Sequence, residues 1–241
     1  MKKQKTNGNF WIYGHHAVTA ALLNPNREKL FLKMTKEAAL DKTLTKNVPC
    51  QIATRSEIEA LLPPGAVHQG LALQVKPLSA LCVDDLLEQI QNQNKIVILM
   101  LDQVTDPHNI GAILRSAAAF EAAAVILPDA NAPEESGTLA KSACGGLEIV
   151  PLIRVPNLVR AIETLKKVGF WVIGLDGSAK KTMAQDKLPA KTVFILGSEG
   201  DGLRRLTAEN CDYMLKLPIS DKMESLNVSN AAAIALYEFN R

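Results

Sequence analysis

Several things are missing from this sequence, and each absence removes a class of protein. No apolar run approaches the ~20 residues that a membrane-spanning helix needs. No opening stretch has the charged, apolar, small-residue order of a secretory signal. The four cysteines, Cys50, Cys82, Cys144 and Cys211, are widely scattered and form no CxxC pair, and the four histidines show no metal-ligand spacing. A disulfide framework and a metal site are therefore not expected. The thiols read as reduced core fillers in a cytoplasmic protein. There is no GxGxxG and no GK[ST], so neither the dinucleotide fingerprint nor a phosphate-binding P-loop is present.

What is present is unevenly charged. The formal net charge is only +2. Residues 1 to 80 carry 11 Lys+Arg against 5 Asp+Glu, net +6, and residues 81 to 241 carry 16 against 20, net −4. A basic first part suits a polyanion such as nucleic acid. Lys2, Lys3 and Lys5 supply half of that excess, and a solvated basic surface with a loose tail would carry the same charge. The division falls at Lys76-Pro77-Leu78-Ser79-Ala80, which gives a unit over 1–80 and another over 81–241.

In the first unit, the patterns predict a helix over about Gly14 to Leu23 and a strand over Leu30 to Met34. A helix over Lys36 to Thr45, a strand over Gln51 to Thr54, a short helix over Glu57 to Leu62 and a strand over Leu71 to Val75 follow. In the second, strands near Ile96, Val125, Trp171, Val193 and Met214 alternate with helices near Val83, Asn109, Gly137, Leu158, Leu203 and Asn227. Such alternation predicts an α/β fold with a parallel sheet covered on both faces.

Three segments of the second unit carry chemistry. Asp106-Pro-His-Asn-Ile-Gly-Ala-Ile-Leu-Arg115 follows the apolar run Ile96 to Leu101. Asn109 reads as a helix cap, and Ile110, Ile113, Leu114 and Ala117 form the apolar stripe. Arg115 lies off that stripe among Gly111, Ala112, Ala118 and Ala119, open to a ligand or simply to solvent. Val193 to Gly202, VFILGSEGDG, runs a buried strand into a glycine-rich turn, where open α/β sheets bind ligands. Ser225 to Tyr237, SLNVSNAAAIALY, sets polar capping residues ahead of a run of small residues. A capped C-terminal helix would look the same, as would one whose free backbone donors hold a ligand.

In this order, the three segments resemble the SpoU/TrmH family of the SPOUT RNA methyltransferases. NIGAILR resembles its first motif, LGSEGDG its second and LPISDKMESLNVSNAAAIALYE its third. Asp221 stands where the family usually has Gly. YGHHAV and GAVHQGLAL resemble the substrate-binding domain of the family's ribosomal RNA members, itself similar to a small ribosomal-protein fold. His15, His16 and His68 are then either RNA contacts or structural.

The resemblance implies methyl transfer from S-adenosylmethionine to a ribose 2′-hydroxyl of RNA, most simply a guanosine of 23S rRNA. It also implies a trefoil knot in the loops around Gly197 to Gly202 and Leu217 to Leu226, and a homodimer through the catalytic domains. Backbone groups near Gly197, Leu217, Ile219 and Leu226 would meet the cofactor's adenine. The resemblance gives Arg115 the central role, often as the base; because a guanidinium stays charged at neutral pH, the alternative role is to hold the target phosphate and polarise the hydroxyl. Asn109, Glu199, Ser225 and Asn227 would fix Arg115 and the ribose, although Glu199 can equally be a salt bridge that tightens the knot. The dimer surface would be the face of Ala231, Ile234, Ala235 and Glu238, with Tyr237 and Phe239 close by. Other readings are a tRNA methyltransferase, a non-enzymatic RNA-binding protein on a degenerate methyltransferase fold, and a nucleotide-dependent oxidoreductase. The absent GxGxxG and the SLNVS segment weigh against the last.

Overall fold

The computed structural model describes residues 8–41, 44, 48–183, 188–198, 200–220 and 222–241. Four strands, β1 (Phe10–Tyr13), β2 (Lys29–Met34), β3 (Cys50–Ile52) and β4 (Leu71–Val75), form one sheet in the order β1-β4-β2-β3. β4 runs antiparallel to β1 and β2, and β3 parallel to β2. Helix α1 (His15–Leu23) buries Ala17, Val18, Ala21 and Leu22. Helix α2 (Arg55–Glu59) starts at a capping box in which Thr54 and Glu57 satisfy each other's backbone N–H groups.

Two expectations fail in this unit. β1 was not anticipated, because four residues are too few to show alternation. The helix expected over Lys36 to Thr45 is a 3₁₀ turn, Ala38–Leu40, none of whose residues is buried. Ala38 and Ala39 do pack against the apolar core, but the turn ends at Asp41, whose backbone is extended; Lys42, Thr43 and Thr45 lie outside the described residues.

Seven parallel strands form the second sheet: β5 (Ile96–Leu101), β6 (Ala124–Pro128), β7 (Leu152–Val155), β8 (Trp171–Leu175), β9 (Lys181–Thr182), β10 (Lys191–Leu196) and β11 (Tyr213–Lys216). Their order is β7-β6-β5-β10-β8-β11-β9. β7 and β9 were not read from the sequence: Arg154 interrupts the first, and the second has two residues. β5 shows how the two faces are covered. Ile96, Ile98 and Met100 pack with α3 (Val83–Ile90) and α6 (Leu158–Lys167). Val97, Leu99 and Leu101 pack with α4 (Pro107–Ala119), α5 (Gly137–Ala143) and α8 (Val228–Asn240). Side chains alternate across the strand, so every residue of β5 is buried. A short α7 (Arg205–Glu209) precedes β11.

The two sheets share an apolar core. Ile12, Val18, Leu32 and Leu73 of the first belong to the same buried cluster as Leu114, Leu139 and Ala143 of the second. The N-terminus of α5 lies so close to β1 that a Cβ on Gly137 would overlap the Trp11 carbonyl oxygen. A buried ion cluster sits beside this contact. Arg27, 1% exposed, donates to Glu148 Oε1 from Nη2 at 2.7 Å, to Glu135 Oε2 from Nη1 at 2.8 Å and to the Lys76 carbonyl at 2.9 Å. Burial alone would lower the Arg27 pKa; the hydrogen bond and charge of Glu148, then those of Glu135, outweigh it and hold the guanidinium above its ordinary value. Glu135 also accepts from Leu78 N–H. The segment expected to link the two parts is therefore pinned on both sides of Pro77.

The cysteines do not fill the core. Cys50, Cys82 and Cys144 are exposed and only Cys211 is half-buried. Burial pushes the Cys211 thiol up to about 11. No group of metal-binding side chains occurs among the described residues, and none of their helices is long and apolar enough to cross a membrane.

Candidate active site

The carboxyl ends of β10, β8 and β11 open into a cavity of about 740 Å³. β8 lies between the other two strands, so the loops after β10 and β11 form the cavity's two sides and the end of β8 its floor. Gly197, Leu217, Ile219 and Leu226 all line it, as does Ser225. The loop after β10 turns back on itself through an isolated bridge between Ser198 and Gly202. A Cβ on Gly197 would overlap the Gly202 carbonyl, and Gly202 itself has φ +65°. The glycines of GSEGDG are what let this turn close.

Asn109 and Asn227 meet although 118 residues separate them, Nδ2 of Asn227 donating to Oδ1 of Asn109 at 2.9 Å. Asn227 is the cap of α8: its Oδ1 accepts from Ser229 N–H at 2.9 Å. Asn109 is not the cap of α4, as its sequence position suggested. Asp106 is, accepting from His108 N–H at 2.9 Å, with Pro107 as the first helical residue. That shift by three residues frees the Asn109 side chain to join the two helix starts. Ring atom Nδ1 of the adjacent His108 lies 3.1 Å from Ser142 Oγ on α5.

Arg115 is exposed, as expected. It stands six residues beyond Asn109, about 9 Å along the helix axis, and forms no ion pair with a described residue. It does not line the cavity. Glu199 and Asp221 lie outside the described residues. His68 is structural: it is buried, and its Nδ1 accepts from Gly70 N–H at 3.1 Å. His15 pairs with Asp41 at 2.7 Å, and His16 is exposed. The α8 face expected at a dimer contact is only partly covered by its own subunit, with Ala231 and Glu238 half-buried. Ala235 and Phe239 are buried in their own subunit, and only Ile234 and Tyr237 remain exposed, Tyr237 edge-on to Phe120.

Sequence reasoning missed two aspartates that end strands. Asp102, fully buried after β5, accepts from Arg204 N–H at 3.0 Å and from its Nε at 2.6 Å. This ties the segment after Gly202 to the start of the α4 loop. Asp176, directly after β8, lines the cavity. The signal for both was an Asp closing an apolar run, in IVILMLD and WVIGLD.

The cavity has the donor set of a ligand site. Ser198 Oγ is buried and has no hydrogen-bond partner among the described residues, an arrangement that costs stability unless something else fills it. The N–H groups of Leu217, Ile219 and Leu226 donate to no described group. Asp176, Asp201 and Glu224 line the cavity, and no Lys or Arg does so among the described residues. An apolar slot with free backbone donors and a negative rim suits a flat heterocycle attached to a positively charged group.

The SpoU rRNA Methylase family model matches residues 96–237, and a model described as RNA 2′-O ribose methyltransferase substrate binding matches residues 11–81. The chain is 40% identical over 237 residues to the 23S rRNA (guanosine-2′-O-)-methyltransferase RlmB of Salmonella typhimurium, covering 94% of this chain and 96% of that one. The protein of that name from Vibrio vulnificus is 41% identical over 95% of this chain and 96% of its own. Among solved structures, the SpoU methyltransferase AviRb from Streptomyces viridochromogenes, in complex with AdoMet, superposes with a TM-score of 0.82 at 23% identity. That match covers 97% of this chain and 90% of that one, and at this identity it speaks for the fold alone. The TrmH/SpoU tRNA modifying enzyme of A. aeolicus matches 66% of this chain and 81% of its own, with a TM-score of 0.55 at 26% identity. With both units matched in order and the motif segments gathered at one end of the sheet, the chain belongs to the SpoU rRNA methylase family.

Proposed function

We propose that this chain transfers a methyl group from S-adenosylmethionine to the 2′-hydroxyl of a guanosine ribose in 23S rRNA. The observation that carries this reading is the cavity over the end of β8, with its unpartnered Ser198 hydroxyl and free N–H groups. The identity of about 40% to 23S rRNA guanosine-2′-O-methyltransferases over nearly the whole of both chains points the same way. The tRNA enzyme matches only two thirds of this chain, which favours ribosomal RNA over tRNA.

When bound, the cofactor supplies a methyl group on a sulfonium, already a good leaving group. The chain's task is to align the ribose oxygen with that methyl group and to ease loss of the hydroxyl proton. Leu217, Ile219 and Leu226 wall the adenine and read its edge with their backbone groups, together with Gly197. Asn109 and Asn227 orient the ribose, and Ser225 and Glu199 share that role. Arg115 stays charged at neutral pH, so it serves as a holder of the adjacent phosphate and polariser of the hydroxyl rather than as a base. Residues 1–80 bind the RNA and residues 81–241 carry the chemistry. The loops at Gly197 to Gly202 and Leu217 to Leu226 form a trefoil knot. Two copies pair through α8 and the nearby Phe120, where Ile234 and Tyr237 are uncovered, and the protein works in the cytoplasm.

The test is incubation with labelled S-adenosylmethionine and either 23S rRNA fragments or tRNA, followed by mapping of alkali-resistant linkages. The expected result is a single 2′-O-methylated guanosine in the 23S fragments. Labelling of tRNA alone, or of a base, would contradict the reading.

A further inference from the structure

Asp176 ends the middle strand of the three that open into the cavity. Its backbone N–H donates to the Leu215 carbonyl at 3.0 Å, which holds the residue at the carboxyl end of the sheet. One carboxylate oxygen is occupied: Oδ1 accepts from Ser178 N–H at 2.7 Å and from Ser178 Oγ at 2.6 Å. The other is not. Oδ2 faces Gly202 across the cavity floor, where a Cβ on that glycine would lie 3.4 Å away, and no described group donates to it. On the far side, Gly177 faces the Glu224 carbonyl, 3.6 Å from where a Cβ would stand. A ligand held between the two loops therefore passes directly over the Asp176 carboxylate.

The position of the paired asparagines decides which part of the ligand this is. Asn109 belongs to the helix after β5, which lies on the other side of β10 from β8. Two strand spacings, about 10 Å, separate the ends of β5 and β8. A methyl group presented beside Asn109 and Asn227 puts the sulfonium toward β5. The leucine-lined slot takes the base, and what lies between base and sulfonium, over β8, is the ribose. A carboxylate with one free oxygen suits a vicinal diol, because both hydroxyls can donate to it in charge-assisted bonds. Acidic residues near strand ends in other open parallel sheets read nucleotide ribose in this way.

We propose that Asp176 reads the ribose of the cofactor, Oδ2 accepting from its 2′- and 3′-hydroxyls while Oδ1 keeps the carboxylate aimed through Ser178. This rests on the S-adenosylmethionine reading above and adds a binding residue that none of the three motif segments contains.

Calorimetric titration of the full-length protein tests it with three probes: S-adenosylhomocysteine, 5′-methylthioadenosine, which lacks the amino acid, and the 2′,3′-dideoxy form of the latter. Asp176→Asn keeps the acceptor for Ser178 and removes the charge facing the ribose. It should weaken the first two probes by the same factor, about tenfold or more, and leave the dideoxy compound unchanged. Ser178→Ala loses the hydroxyl bond to Oδ1 but keeps the backbone N–H bond that aims the carboxylate, so it should bind all three within a few-fold of the wild type.

Equal binding by Asp176→Asn and wild type would overturn the assignment. So would a loss confined to S-adenosylhomocysteine, which would move the carboxylate to the ammonium group. A loss as large in Ser178→Ala would overturn it too, by making the loop's shape the cause. A wild-type protein that binds no adenosyl probe would instead remove the cofactor reading itself.

Discussion

The seam around Arg27 and the cavity beyond β8 are both built where distant segments meet, yet they treat polar groups in opposite ways. At the seam, Arg27 finds two carboxylates and a carbonyl within the chain, and Asn24 adds a fourth contact to Glu148 at 2.7 Å. At the cavity, a buried serine hydroxyl, three backbone N–H groups and one carboxylate oxygen are left without partners among the described residues. A closed polar network fixes two elements against each other. An open one is costly by itself and becomes useful when a ligand completes it. The first region holds the N-terminal unit on the second sheet, and the second has the open polar groups of a ligand site.

The contrast can be broken most forcefully at the seam. Arg27→Met leaves Glu148, whose side chain is 4% exposed, buried beside a second unpaired carboxylate. A loss of about 3–5 kcal/mol in unfolding free energy is expected, read from denaturant melts, and Glu148→Gln in the same chain should restore part of it. A variant as stable as the wild type would mean that the seam is looser than its geometry.

Arg115→Ala should do the reverse. No described residue loses a partner, so stability should hold within about 0.5 kcal/mol. Methylation of 23S fragments should fall about a hundredfold or more, with cofactor affinity within a few-fold by calorimetry. Near-normal turnover would remove Arg115 from the mechanism.

Asn227→Ala lies away from the seam but combines both kinds of effect. It removes a helix cap and the bond to Asn109, so it should cost about 1 kcal/mol of stability and also depress methylation. A loss of stability with full activity would make the asparagine pair purely structural.

The smallest effect concerns the thiols. At pH 8, iodoacetamide should label Cys50, Cys82 and Cys144 well ahead of Cys211, whose thiol is raised to about 11. Peptide mass spectrometry would show the order, and prompt labelling of Cys211 would mean that α7 opens readily.

The sequence was most legible where periodicity is long. The stripe Ile110, Ile113, Leu114 and Ala117 is buried as its spacing required, and β5 and β10 are the continuous apolar runs they resemble. Gly197, Leu217, Ile219, Ser225 and Leu226 come together in one cavity because three neighbouring strands end there. What could not be read depends on contacts across sequence distance. Nothing near Arg27 announces Glu135 and Glu148, 108 and 121 residues away. β7 hides behind Arg154, and the cap of α4 was misplaced because Asp106 and Asn109 are both good caps. The exposed cysteines show that scattered thiols carry no burial signal of their own.

Where the cofactor binds is the most direct point of attack. Leu226→Glu would set a carboxylate in the slot assigned to the adenine. Calorimetric titration of S-adenosylmethionine should show saturable binding to the wild type and a loss on the order of a hundredfold in the variant, with its melting temperature little changed because Leu226 is only half-buried. Equal affinity in the two proteins would place the cofactor elsewhere and contradict the central claim.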